Sequence, residues 1–147
     1  MTVEPRRVAE LIGQYRVRTP QELRRAVEEG LPLAAAERAV RHVFGKEGTA
    51  YLFSHIVPRT TYLRRKKARG GASRAKLTTE ESQRTERLAR ITALAEQVFE
   101  DEAAAREFLT SVQPSLGDRR PVDLIGTDLG TREVEDLLFA LEYSLPV

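Results

Sequence analysis

Apolar residues recur along this chain at helical spacing, and the strict alternation of a half-buried strand is nearly absent. Leu33, Ala36, Val40 and Val43 share one face of a predicted helix that Pro32 opens and Gly45 ends. Before it, Thr19-Pro20-Gln21-Glu22 places a hydroxyl at N-cap, proline at N1 and a carboxylate at N3. That is a capping box, and it predicts a helix running to about Glu29 with Gly30 as its stop. After it comes a short apolar segment, Ala50-Tyr51-Leu52-Phe53, which Pro58 interrupts. Arg59 to Ala68 has helical composition with no breaker, and Gly70-Gly71 reads as a hinge.

The second half opens on another capping box, Thr78-Thr79-Glu80-Glu81. Behind it lies the longest periodic run of the chain, with Leu88, Ile91, Leu94, Ala95, Val98 and Phe99 on one broad face. Asp101 caps a predicted helix carrying Ala104, Phe108 and Leu109. Pro114 to Asp118 is a turn-rich loop, Pro121 to Ile125 a short helical turn, and Gly126 to Gly130 a second loop. Thr131 then caps a predicted final helix with Val134, Leu137, Leu138 and Leu141. The expectation is an all-α chain in two parts, residues 1–76 and 77–147.

Charge changes this picture. Residues 1–79 hold 17 Lys/Arg against 7 Asp/Glu, and residues 80–147 hold 7 against 15, so halves of +10 and −8 combine into a net +2. No acid occurs between Glu47 and Glu80, whereas Arg59, Arg64, Arg65, Lys66, Lys67, Arg69, Arg74 and Lys76 all fall there. A solvated helix face ordinarily mixes signs, so this segment points to nucleic acid. With no Cys and only two His, thiolate metal sites, disulfides and a His-based metal cluster are excluded. No apolar stretch approaches the ~20 residues of a membrane span and no apolar signal region opens the chain, so a cytoplasmic protein without a membrane partner is expected.

Residues 48–68 have the proportions of a helix-turn-helix: a short apolar helix, a turn at His55–Pro58, and a second helix from Arg59. Such a second helix offers short polar or basic side chains to base edges and cations to phosphates. Arg59, Thr60 and Thr61 meet the first demand, and Arg64, Arg65, Lys66 and Lys67 the second, while Tyr62 and Leu63 are assigned to its inner face. His55, in the turn, is a candidate phosphate contact. Each phosphate neutralised releases counterions, so binding should be steeply salt-dependent. RNA would call for more exposed aromatics, and a membrane surface for a stronger apolar stripe.

The carboxylates of the second half do not assemble a catalytic site. Glu80, Glu81, Glu100, Asp101 and Glu102 cluster around helix starts, where the macrodipole favours negative charge. No nucleophile sits with a base, and no P-loop, GxSxG or HExxH occurs. No cofactor and no catalysis are expected. The last helix, with Leu137, Leu138, Phe139 and Leu141 followed by Tyr143 and Leu145, carries more apolar surface than one face needs. That surplus either closes the core or docks into a partner.

Leu77-Thr78-Thr79-Glu80-Glu81-Ser82-Gln83-Arg84, continuing through Arg87-Leu88-Ala89-Arg90, resembles the opening of the toxin-binding domain of Xre/MbcA/ParS-type antitoxins. Val98-Phe99, Ala105 to Leu109, Ser115 to Ile125, Thr127 to Gly130, Val134, Leu137-Leu138 and Glu142-Tyr143 resemble its later motifs in order. Gly30-Leu31-Pro32 and Pro58-Arg59-Thr60-Thr61 resemble the Cro-like helix-turn-helix part of the same antitoxins. The likeness spans roughly residues 27–147. The chain departs from the pattern at Glu100, where the family commonly has Gly, at Phe108 for Trp, and at Ser144 for Gly. The resemblance implies a type II antitoxin that neutralises a RES-domain, NAD-degrading toxin by occluding its active site. It also implies a homodimer binding operator DNA for autorepression. By that resemblance Arg59, Thr60, Thr61, Arg64 and Arg65 face DNA, and Val134, Leu138, Leu141, Glu142 and Tyr143 face the toxin. A stand-alone transcriptional regulator with a dimerising or sensing C-terminal part is the alternative.

Overall fold

In the computed structural model, which describes residues 3–144, the chain is all-α, with nine α-helices and no strand among the described residues. They are α1 (Pro5–Leu11), α2 (Pro20–Glu29), α3 (Leu33–Phe44), α4 (Thr49–His55), α5 (Arg59–Lys67), α6 (Gly71–Arg74), α7 (Thr79–Phe99), α8 (Glu102–Thr110) and α9 (Asp128–Ser144). Three 3₁₀ turns at Gly45–Glu47, Pro114–Leu116 and Pro121–Leu124 connect them.

The axis of the fold is α7. Both legs of its expected capping box form: Thr78 Oγ1 accepts from the Glu81 amide and Glu81 Oε1 accepts from the Thr78 amide. Leu88, Ile91, Leu94 and Ala95 are fully buried, and so nearly are Thr92 and Ala93, which widens the expected apolar face into a helix enclosed on most sides. The α1, α2, α3, α8 and α9 helices all pack against it. Each large side chain removed from water contributes about 1.5–3 kcal/mol. The buried hydroxyls of Thr85 and Thr92 donate back to the carbonyls of Glu81 and Leu88, so neither leaves an unpaired group in the core. A continuous hydrophobic cluster runs from Val8 to Leu138 and joins the two halves.

Three local expectations change, and one helix that the sequence did not signal is present. The helix α1 carries no start signal beyond Pro5 and forms because Val8, Ala9 and Leu11 bury against the core. The chain expected to flex at Gly70-Gly71 is pinned a few residues on, at 75–77. The Leu33 amide donates to Ala75 O and the Leu77 amide to Leu31 O, giving an isolated bridge between Pro32 and Lys76. Gly30 permits that approach: at φ +96° a Cβ there would lie 2.6 Å from Leu77 O. The last helix begins one turn before Thr131. Thr127 Oγ1 accepts from the Gly130 amide, whereas Thr131 is buried inside α9 and donates to Thr127 O. Leu63 faces outward, 37% exposed, so Tyr62 is the buried apolar side chain of α5.

Candidate nucleic-acid and partner interfaces

The candidate helix-turn-helix is α4, the Ile56–Pro58 turn and α5. Its inner side is fastened by polar groups. Tyr62 is buried, lies tilted against Phe53 with ring centroids 5.3 Å apart, and donates its hydroxyl to Glu37 on α3. Lys66 Nζ reaches the same carboxylate at 2.7 Å. Burial opposes the charge on Glu37, but the hydrogen bonds from Lys66 and Tyr62 outweigh it and hold the carboxyl below its ordinary range. Arg65 Nη1 lies 2.6 Å from Glu81 Oε1, the oxygen that also caps α7. One carboxylate thus fixes both the start of the central helix and the inner flank of α5.

Arg59, Thr60, Arg64, Lys66 and Lys67 are exposed, and Thr61 is half-buried. Arg59, Arg64 and Lys67 form no ion pair among the described residues, so their charge is free for a ligand. Arg65 is only 19% exposed and spends its guanidinium on Glu81. In this structure Arg65, expected to face DNA, braces α5 against the start of α7. His55 is likewise withdrawn from phosphate: its ring stacks on Tyr51 at 4.0 Å, and Nε2 lies 2.9 Å from Asp123. Asp123 is held below the ordinary carboxylate range by Arg120, against burial, with His55 adding to the effect. Tyr51 donates its hydroxyl to Val122 O at 2.5 Å, so α4 is anchored to the Pro121–Leu124 turn of the acidic half.

Two cations escaped the sequence reading. Arg41 and Lys46 are exposed and line a groove of about 450 Å³ between α3, α4 and α5, together with Thr49 and Lys66. Neither stands inside the acid-free segment, and only the packing of α3 beside α5 brings them there.

The α9 helix is built the opposite way. Val134 and Leu138 are fully buried and belong to the core. That corrects their assignment to a partner surface, because helical periodicity makes 134 and 138 the inward positions of α9. Leu141 and Glu142 are half-buried, and Tyr143 is 85% exposed. Leu145 lies outside the described residues. On the outer face Glu133 and Asp136 are exposed, and with Glu142 they form no ion pair among the described residues. Leu129, 71% exposed, stands at the other end of the helix.

A third cluster joins α1, α3, α7 and α8. Ligand atoms of His42, Glu96 and Glu102 lie within 4.8 Å of one another. Arg7 Nη2 already lies 2.6 Å from Glu96 and 3.9 Å from Glu102, and His42 Nε2 lies 2.6 Å from Glu96. Burial opposes the charge on Glu96, but His42 and Arg7 outweigh it and hold the carboxyl below its ordinary range. A cation thus already neutralises these carboxylates, and the group serves to clamp α1 onto α7.

Among the described residues no helix is long and apolar enough to cross a membrane. Two family models match the chain. The antitoxin Xre-like helix-turn-helix domain matches residues 22–90, and the antitoxin Xre/MbcA/ParS C-terminal toxin-binding domain matches residues 94–143. No curated protein matches. The first match covers α2 to the first half of α7, with its cationic α5; the second covers the rest of α7 to α9, and in that order they make the chain a member of the Xre-type antitoxins.

Proposed function

We propose that the chain is the antitoxin of a type II toxin–antitoxin pair that inhibits a RES-domain, NAD-degrading toxin and represses its own operon as a homodimer. The observation that carries this reading is the separation of two free surfaces of opposite sign on one shared hydrophobic core. The outer face of α5 presents Arg59, Arg64 and Lys67 without acidic partners among the described residues. The outer face of α9 presents Glu133 and Asp136 beside exposed Tyr143, with half-buried Glu142 next to it at the end of the helix. The division at residues 76/77 belongs to this proposal as a division of tasks, since α7 lies in the core of both parts.

For DNA, α5 enters the major groove with Arg59, Thr60 and Thr61 at its leading end, while Arg64 and Lys67 meet phosphates. Arg41 and Lys46 extend the contact along the neighbouring groove, with Lys66 at its edge. For the toxin, Tyr143 and the exposed edge of Leu141 enter the mouth of an enzyme cleft. Glu142 meets cations that otherwise hold an anionic substrate. Inhibition is by occlusion, and no catalysis by this chain is required.

Co-expression with a RES-domain enzyme encoded beside this gene tests the reading. Restored growth with loss of NAD prevented is the expected result. Toxicity without rescue, combined with salt-dependent DNA binding by this chain alone, would favour a stand-alone regulator instead.

A further inference from the structure

On α5, Arg59, Leu63 and Lys67 stand at i, i+4 and i+8, and Thr60 and Arg64 flank them at i+1 and i+5. All five are exposed, and this spacing puts them on one face of the helix. At the middle of that cationic face is an aliphatic side chain. Leu63 is 37% exposed and is not among the hydrophobic side chains packed against the core of the described residues. It cannot turn inward, because α5 is fixed from behind: Tyr62 and Lys66 are held by Glu37, and Arg65 by Glu81. A membrane or a protein partner would fit the isolated Leu poorly. The surrounding cations and the acid-free stretch from residue 48 to 79 match a polyanion.

We infer that Leu63 reads a thymine in the major groove, by apolar contact with its 5-methyl group. This rests on the proposal that α5 binds duplex DNA. In the major groove a T·A pair differs from C·G in presenting that methyl, the feature that an aliphatic side chain recognises. The flanking Arg64 and Lys67 hold the helix against phosphates and carry little sequence information themselves. Leu63 therefore sets specificity where its charged neighbours set affinity.

The test uses the full chain and a pool of random-sequence duplexes. The tightest duplex is selected and resynthesised with each thymine in turn replaced by deoxyuridine, which pairs identically and lacks only the methyl. For the wild type, one substitution weakens binding about fourfold, the worth of one buried methyl group. For Leu63→Ala, binding to the thymine duplex is about fourfold weaker and the same uridine substitution has no further effect. Leu63→Met retains the sensitivity. The unfolding midpoint of each variant, measured alongside, separates loss of this contact from loss of the fold. Uridine sensitivity that persists in Leu63→Ala would give the methyl contact to Thr60 or another side chain and overturn the assignment. Selected duplexes insensitive at every thymine would overturn it while leaving DNA binding intact. Selection of no duplex at all would remove the DNA reading of α5, and this assignment with it.

Discussion

The helices α5 and α9 each turn a charged face to solvent, but they are held to the core by different forces. Behind α5 stand Glu37 and Glu81, taking Tyr62, Lys66 and Arg65. Behind α9 stand Val134 and Leu138, fully buried in apolar surroundings. A helix made mostly of Arg, Lys and Thr has little apolar surface to bury, so it is docked by hydrogen bonds and ion pairs from neighbouring helices. The α9 helix has apolar residues to spare and is docked by burial, which leaves its acids free. The difference teaches that a strongly cationic helix relies on carboxylates placed far away in sequence, on α3 and at the start of α7.

This contrast is broken most severely from the α9 side. Leu138→Ala removes a fully buried side chain and should cost about 2–5 kcal/mol in chemical denaturation, with both binding activities lost together as the common core weakens. Acidification attacks the polar fastenings instead. Glu37, Glu96 and Asp123 have pKa values depressed in the folded state. The stability they contribute is fully present above the unfolded carboxylate pKa of about 4 and is lost as pH falls through their lower folded values. Glu86 works in the opposite sense: burial raises its pKa, against Arg90, so protonating it relieves part of a cost. The three depressed groups outnumber it, and the unfolding midpoint should drop steeply below pH 4. A flat profile there would deny that these pairs hold the helices. Arg65→Ala should cost about 1–2 kcal/mol by breaking a pair with a largely buried carboxylate, yet leave the slope of log affinity for DNA against log salt nearly unchanged. Arg64→Ala should do the converse, with wild-type stability and a slope lowered by about one.

The smallest effect concerns a single backbone angle. Glu100 closes α7 in the left-handed region, at φ 54° and ψ 26°, where a side chain is strained. The family commonly has glycine there, and Glu100→Gly should stabilise the chain by about 0.5–1 kcal/mol with both interfaces unaltered. A destabilised variant would show that the Glu100 side chain contributes something its backbone strain conceals.

Most of the fold was legible in the sequence because caps and stops are local. Thr19, Thr78 and Asp101 each accept from the amide three residues on, as the spacing of oxygen and carboxylate predicted. The start of α9 was misread because Thr127 and Thr131 carry the same cap chemistry four residues apart, and only burial of Thr131 tells them apart. The helix α1 went unseen because it depends on tertiary burial more than on its own signals. Within the candidate interfaces, the acid-free run identified α5, but charge alone says nothing about direction. Arg65 differs from Arg64 only by the 100° between successive helical residues, and the presence of Glu81 opposite it is a fact of packing. Leu63 was misplaced for the same reason, since an aliphatic residue reads as inward until Tyr62 is seen to fill that side.

The central claim is that the two charged faces serve different partners. Its most direct test is co-purification of a tagged, catalytically inactivated RES-domain enzyme encoded beside this gene with three versions of the chain: wild type, Arg64→Ala and Tyr143→Asp. Retention of the wild type and Arg64→Ala, with loss of Tyr143→Asp at an unchanged unfolding midpoint, is the predicted outcome. Equal retention of all three, or of none, would contradict the assignment of the α9 face to the toxin.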